Sequence, residues 1–196
     1  ITYVWQRKTP TDPGFTDIVG DPDVDYPSPG TIRVKDVGSA ENPGGTQYRA
    51  VISDGSGAPA LTSNPATLTV NRVSSITPTG PQTICEGENI SYTAVIEGET
   101  PVSYQWKKYP GGTNVVNDGT ISGATTTTLT FTNARPTDSG QYRLQVVFPT
   151  CTHTSSHVRD LTVNPLPILA GPPSVCVDGT ANWSPNSGGT WTSSDP

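Results

Sequence analysis

The chain contains no methionine, 3 cysteines, and only 11 lysines and arginines against 17 acidic residues in 196 positions. Each shortage excludes something. A nucleic-acid binder needs a basic face, and scattered cations within a net charge of −6 do not supply one. The same balance disfavours an anionic membrane surface as a partner. No apolar run approaches the roughly 20 residues that cross a bilayer as a helix. Apolar residues nowhere recur at helical spacing over several turns, so almost no helix is expected. There is no signal-peptide pattern, and together with the missing methionine this points to a window cut from a longer polypeptide.

What is present is glycine (20), proline (20) and much threonine, with charged residues at 14%. That mixture suits short strands punctuated by turns. The strongest positive signal is internal repetition. "YVW" at 3–5 returns as "YQW" at 104–106, and "TQYRAVIS" at 46–53 as "GQYRLQVV" at 140–147. "ATLTVN" at 66–71 returns as "RDLTVN" at 159–164, and "GPQTIC" at 80–85 as "GPPSVC" at 171–176. A period near roughly 100 residues is the size of one β-sandwich domain. Three segments follow: a partial domain over 1–72 that lacks its first two strands, a complete domain over 73–164, and the start of a third over 165–196. The prolines of "NPLPIL" at 164–169 make a stiff, extended connector.

Within the middle repeat, "NISYTAVI" at 89–96 alternates Ile90, Tyr92, Ala94 and Ile96 with Ser91, Thr93 and Val95, as a strand with one buried face does. "VSYQWKK" places Trp106 as the core tryptophan of the third strand. "TDSGQYRLQV" at 137–146 is an Asp-x-Gly-x-Tyr turn feeding a strand, the tyrosine-corner signature of immunoglobulin-like sandwiches. In antibody domains a cysteine follows that tyrosine by two residues; here Leu144 stands there and Ala94 stands where its disulfide partner would be, both facing Trp106. An aliphatic pair packed on Trp106 replaces the inter-sheet disulfide, and Tyr142 ties its turn to upstream backbone. The expected core is therefore Trp106, Tyr142, Ala94 and Leu144, with Trp5 and Tyr48 as first-repeat counterparts. The fold class is all-β: tandem Greek-key immunoglobulin-like sandwiches, the first and last incomplete.

On "ICEGENISYTA", "YQWKK", "ISGATTTTLTF", "DSGQYRLQV" and "LTVNPLP", the chain resembles the bacterial immunoglobulin-like modules strung in tandem through very large surface proteins. It is similar in particular to those of adhesins and gliding proteins exported by the type IX system. "GGTWTSSDP" at 188–196 resembles a sister type of bacterial repeat. The resemblance implies an extracellular, cell-surface, non-catalytic stalk or adhesin whose partners are neighbouring repeats and a surface glycan or protein. Two rivals stand beside it: a glycan- or protein-binding module using loops 53–64 and 149–156, and accessory domains of a large secreted enzyme.

Candidate site residues are few. Asp21, Asp23 and Asp25 alternate in a loop longer than its middle-repeat counterpart, a candidate calcium site without the glycine and terminal glutamate of an EF-hand. Cys85 and Cys151 are a candidate disulfide within the middle domain. Alternatively, Cys85 pairs with a late-loop cysteine of the next repeat, or the thiols stay free. Cys151, His153 and His157 share a loop but lack a fourth zinc ligand. Glu97 and Glu99 flank a turn, where solvated charge is the ordinary reading. The threonines of 125–132 offer a flat hydroxyl face that could meet carbohydrate. No cofactor other than calcium is implied.

Overall fold

The computed structural model describes residues 1–38, 43–170, 174, 176–180, 182 and 184–185. The expectations for "GGTWTSSDP" at 188–196 lie outside the described residues. Everything regular among the described residues is strand, apart from one 3-10 turn at Pro136–Asp138.

The first unit is built on β1 (Thr2–Lys8), β2 (Thr16–Asp17), β3 (Val24–Asp25), β4 (Arg33–Val34), β5 (Gln47–Ser53), β6 (Leu61–Thr62) and β7 (Ala66–Thr67). β1 pairs along its whole length with β5, from Thr2 opposite Ser53 to Lys8 opposite Gln47. β2 flanks β1, and β6 and β7 both pair with β5. β3 and β4 form a separate two-stranded pair. Val24, Tyr48 and Ala50 are buried here, as is Thr46, whose hydroxyl donates to the Pro43 carbonyl. Trp5, expected in the core, is only half-buried, and Tyr3 is 39% exposed. The physical reason is coverage. Two two-residue strands cannot screen the face that β1 presents.

The second unit comprises β8 (Arg72–Thr77), β9 (Gln82–Cys85), β10 (Ile90–Glu97), β11 (Ser103–Tyr109), β12 (Ile121–Ser122), β13 (Thr128–Phe131), β14 (Gly140–Val147), β15 (Thr152–Thr154) and β16 (Arg159–Asn164). One sheet runs β12-β13-β10-β8; the other runs β11-β14-β16-β9, with β15 also on β14. All pairs are antiparallel except β9 with β16, which is parallel. The single first strand read near 74–84 is thus two strands serving opposite sheets. Pro78, Gly80 and Pro81 break it between them, because proline supplies no ladder donor and Gly80 turns with φ of 79°. A last pair, β17 (Leu169–Ala170) with β18 (Ser184–Pro185), lies beyond the second unit in sequence.

The interior between the second unit's sheets is one cluster. Ile76, Tyr92, Trp106, Leu129, Phe131, Tyr142, Leu144 and Val146 have no exposed surface, and Ala94 is 6% exposed. β10 buries Tyr92 and Ala94 and exposes Ser91, Thr93 and Val95, the period-two alternation of its sequence. Burial of each large apolar side chain contributes about 1.5–3 kcal/mol. Trp106 lies directly across the ladder from Leu144. Its indole N–H donates to the Thr126 carbonyl at 3.0 Å, so the buried ring leaves no orphan donor.

Two polar ties also cross between the sheets. The Tyr92 hydroxyl on β10 donates to the Asp160 carbonyl on β16 at 3.0 Å. The buried Arg159 guanidinium on β16 donates from Nε and Nη2 to the Ile76 carbonyl on β8, at 2.9 and 2.6 Å. Nothing in residue spacing announces Arg159 as a bolt, since a lone arginine in a strand usually reads as solvated.

Candidate functional site

The corner at Tyr142 is structural. Its hydroxyl donates to the Asp138 carbonyl at 2.6 Å, and burial raises its pKa well above the ordinary value of 10. Asp138 in turn accepts from the Arg135 amide at 2.8 Å, and the Ser139 hydroxyl accepts from the Val163 amide at 2.9 Å. Phe131 meets the Tyr142 ring edge-on at 5.1 Å between centroids. Burial likewise pushes Tyr92 up to about 12. Neither phenol is placed for proton transfer at neutral pH.

The acidic loop does not converge. Asp21 pairs with Arg7 at 2.8 Å and caps the Asp23 amide at 2.9 Å, while Asp25 pairs with Lys35 at 2.8 Å. The chain's own cations neutralise two of the three carboxylates. Cys151, His153 and His157 also part company. His153 Nδ1 accepts from the Val73 amide at 3.3 Å, His157 Nδ1 lies 3.3 Å from the Ser155 hydroxyl, and Cys151 faces Asn71. Among the described residues, no three His, Cys, Asp or Glu side chains are grouped to hold a metal ion.

Cys85, Cys151 and Cys176 are exposed and unbridged. Cys85 ends β9 opposite Asn164, whereas Cys151 follows the far end of β14. That strand has 8 residues; at about 3.3 Å per residue it holds the two thiols some 25 Å apart. A bridge needs Cα atoms within about 7 Å, so the candidate Cys85–Cys151 bond is corrected by the fold itself.

The threonine face is a ladder of mutual hydroxyl contacts. Thr93 Oγ1 lies 3.1 Å from Thr128 Oγ1, and Ser91 Oγ 2.9 Å from Thr130 Oγ1. These pairs stabilise the β10–β13 pairing inside the sheet and present a level polar surface.

Two features were missed by sequence reading. First, Tyr3, Trp5, Tyr26, Pro27 and Pro29 line an open aromatic cleft of about 420 Å³ on the first unit. Second, Glu97 and Glu99, read as solvated charge, are both engaged, Glu97 by Arg72 at the start of β8 and Glu99 by Asn71 just ahead of it. Arg72 Nε bonds Glu97 at 2.8 Å, and the Asn71 carboxamide bonds Glu99 and Thr150. Those bonds hold the Glu99 carboxyl below the ordinary carboxylate range. The available signal was the repeated "TVN" at 69–71 and 162–164.

Residues 74–165 match the family model described as Domain of unknown function (DUF8696), just under half of the chain. No curated protein matches. Among solved structures, the chain is similar to "Tandem Ig repeats of Dlar", at 20% identity over 84% of this chain and 82% of that one, with a TM-score of 0.43. It is also similar to a chimeric titin Z1Z2, at 19% identity over 50% of this chain and 99% of that one, TM-score 0.38. A chain from "Structural basis for Dscam isoform specificity" matches at 17% identity over 83% of this chain and 38% of that one, TM-score 0.40. Two facing sheets in Greek-key order, closed on a tryptophan and a tyrosine corner, make this an all-β protein of tandem immunoglobulin-like sandwiches.

Proposed function

We propose that this chain is a segment of a tandem immunoglobulin-like array that serves as an elongated, non-catalytic stalk or adhesin on a bacterial cell surface. The observation that carries the reading is where its polar groups are spent. The deep tyrosines, the core tryptophan and Arg159 are all committed to ties inside the sandwich, and the acidic loop to its own cations. Modules of this kind offer mechanical resistance in series and little chemistry each. Extracellular placement, export by the type IX route and neighbouring repeats as the first partners follow from the sequence resemblance. No described helix is long and apolar enough to cross a membrane. Stretching the chain between its ends by single-molecule force spectroscopy tests the reading. Discrete unfolding of the second unit as one step is expected; extension without a force peak sinks it.

A second reading, glycan binding, draws on the aromatic cleft at Tyr3, Trp5 and Tyr26. Exposed rings beside prolines are surfaces on which sugar faces stack. Saturable binding on a glycan array that Trp5→Ala abolishes would favour this reading over the stalk. Calcium at Asp21, Asp23 and Asp25 remains a proposal of its own, and an unchanged melting temperature in millimolar calcium removes it.

A further inference from the structure

We infer that Asn71, which closes "TVN" just ahead of β8, is a carboxamide peg that docks into the head of the following repeat and sets the angle of the joint, and that Asn164 takes the same place in the next repeat. The inference rests on the serial-array reading above and adds the chemistry by which one module recognises the next.

The fit of peg to socket is complete. The Asn71 carboxamide oxygen accepts from the Glu99 amide at 2.8 Å. Its nitrogen donates to Glu99 Oε2 at 2.7 Å and to Thr150 Oγ1 at 3.0 Å. The Thr150 hydroxyl donates to the same Glu99 oxygen at 2.8 Å, so the carboxylate is oriented before the peg arrives. A side-chain amide offers an acceptor and two donors, and this socket takes all of them. An aspartate could accept but not donate, and would meet a carboxylate.

Gly98 makes the approach possible. A Cβ there would run into the Asn71 carboxamide oxygen, the Asn71 Cα and the Val70 carbonyl, and its φ of 105° is a conformation that glycine alone adopts without strain. Arg72 braces the other side, donating from Nη1 to the Gly38 carbonyl of the first unit at 3.0 Å and from Nε to Glu97 at 2.8 Å. Two clefts of about 460 and 400 Å³ flank the connecting segment. With open space on both sides, apolar packing does not hold the angle; the peg and its brace do. Small polar interfaces between domains otherwise leave them free to move.

The sequence repeats the peg and the glycine but not the carboxylate, since Gly98 is followed by Glu99 and Gly189 by Thr190. "TVN" ends at Asn71 and again at Asn164, and the spacing from Cys85 to Gly98 recurs from Cys176 to Gly189. Gly189 lies outside the described residues, and this part of the inference stands on sequence alone.

Backbone 15N relaxation on the full chain tests it. In the unaltered protein the two units should share one rotational correlation time to within about a tenth, and in Asn71→Ala the times should separate by more than about a third. Near-UV circular dichroism should be unchanged, because Asn71 touches none of the second unit's core. Asn71→Asp provides a readout that a merely structural residue would not move. Its units should tumble separately at neutral pH and recouple as pH falls to about 4, where a protonated carboxyl regains a donor. Separate tumbling in the unaltered protein, common tumbling in Asn71→Ala, or an Asn71→Asp joint indifferent to pH overturns the peg. Each of those results leaves the force test of the array reading standing, and a failed force test leaves the relaxation result interpretable.

Discussion

At the scale of single residues, stability in the second unit rests on groups that do two jobs. Tyr142 fills the core and ties the corner. Tyr142→Phe keeps the volume and removes one buried hydrogen bond, so a loss of about 1–2 kcal/mol is expected in urea unfolding. Leu144→Ala removes the aliphatic group packed across from Trp106 and should cost about 2–5 kcal/mol, the range for a buried cavity. Arg159→Met surrenders two charge-assisted bonds to the Ile76 carbonyl and should cost about 1.5–3 kcal/mol, measured the same way. His153 titrates against the fold. Burial first, then the His157 and Arg72 charges, lower its pKa below 6.5, and its neutral Nδ1 is the acceptor for the Val73 amide. A depressed histidine pKa means the unfolded chain binds the proton first. Stability from this group is therefore present above about pH 6.5 and declines as pH falls through that value toward the lower folded one. Melting temperatures between pH 7.5 and about 5 should fall in the parent and fall less in His153→Gln.

Elements were legible where one face is buried and the other wet. The alternation of β10, the apolar positions of β13 and the corner strand β14 all appear in the sequence because burial on a pleated sheet has period two. The first strand was not legible as it stands. A single stretch near 74–84 became β8 and β9 on opposite sheets, since the apolar pattern does not say which sheet an edge strand joins. Gly123 marks another element-level constraint. Its φ is 78°, and a Cβ there would collide with the Thr128 carbonyl where β12 turns into β13. Gly123→Ala should lower stability by more than about 2 kcal/mol, without altering the tryptophan environment seen by fluorescence of any remaining folded protein.

For the molecule as a whole, the thiols contribute nothing to the sandwich. Thermal melts with and without reductant should superimpose, because Cys85 and Cys151 stand at opposite ends of the second unit. A reductant-sensitive melt would show that sulfur bridges some pair after all. The two units also differ in closure. Trp106 has no exposed surface, while its counterpart Trp5 lines an open cleft. Hydrogen exchange should accordingly protect the amides of β14 longer than those of β5.

The chain's own letters determined the fold class, the repeat, the core of the middle sandwich and the absence of its disulfide, because these follow from local periodicity and turn chemistry. Tertiary structure alone decided which carboxylates are spoken for, how far apart the cysteines lie, and that Arg159, Asn71 and Gly98 meet partners tens of residues away. Such contacts arise only when distant strands are brought side by side, and a linear pattern holds no record of that proximity.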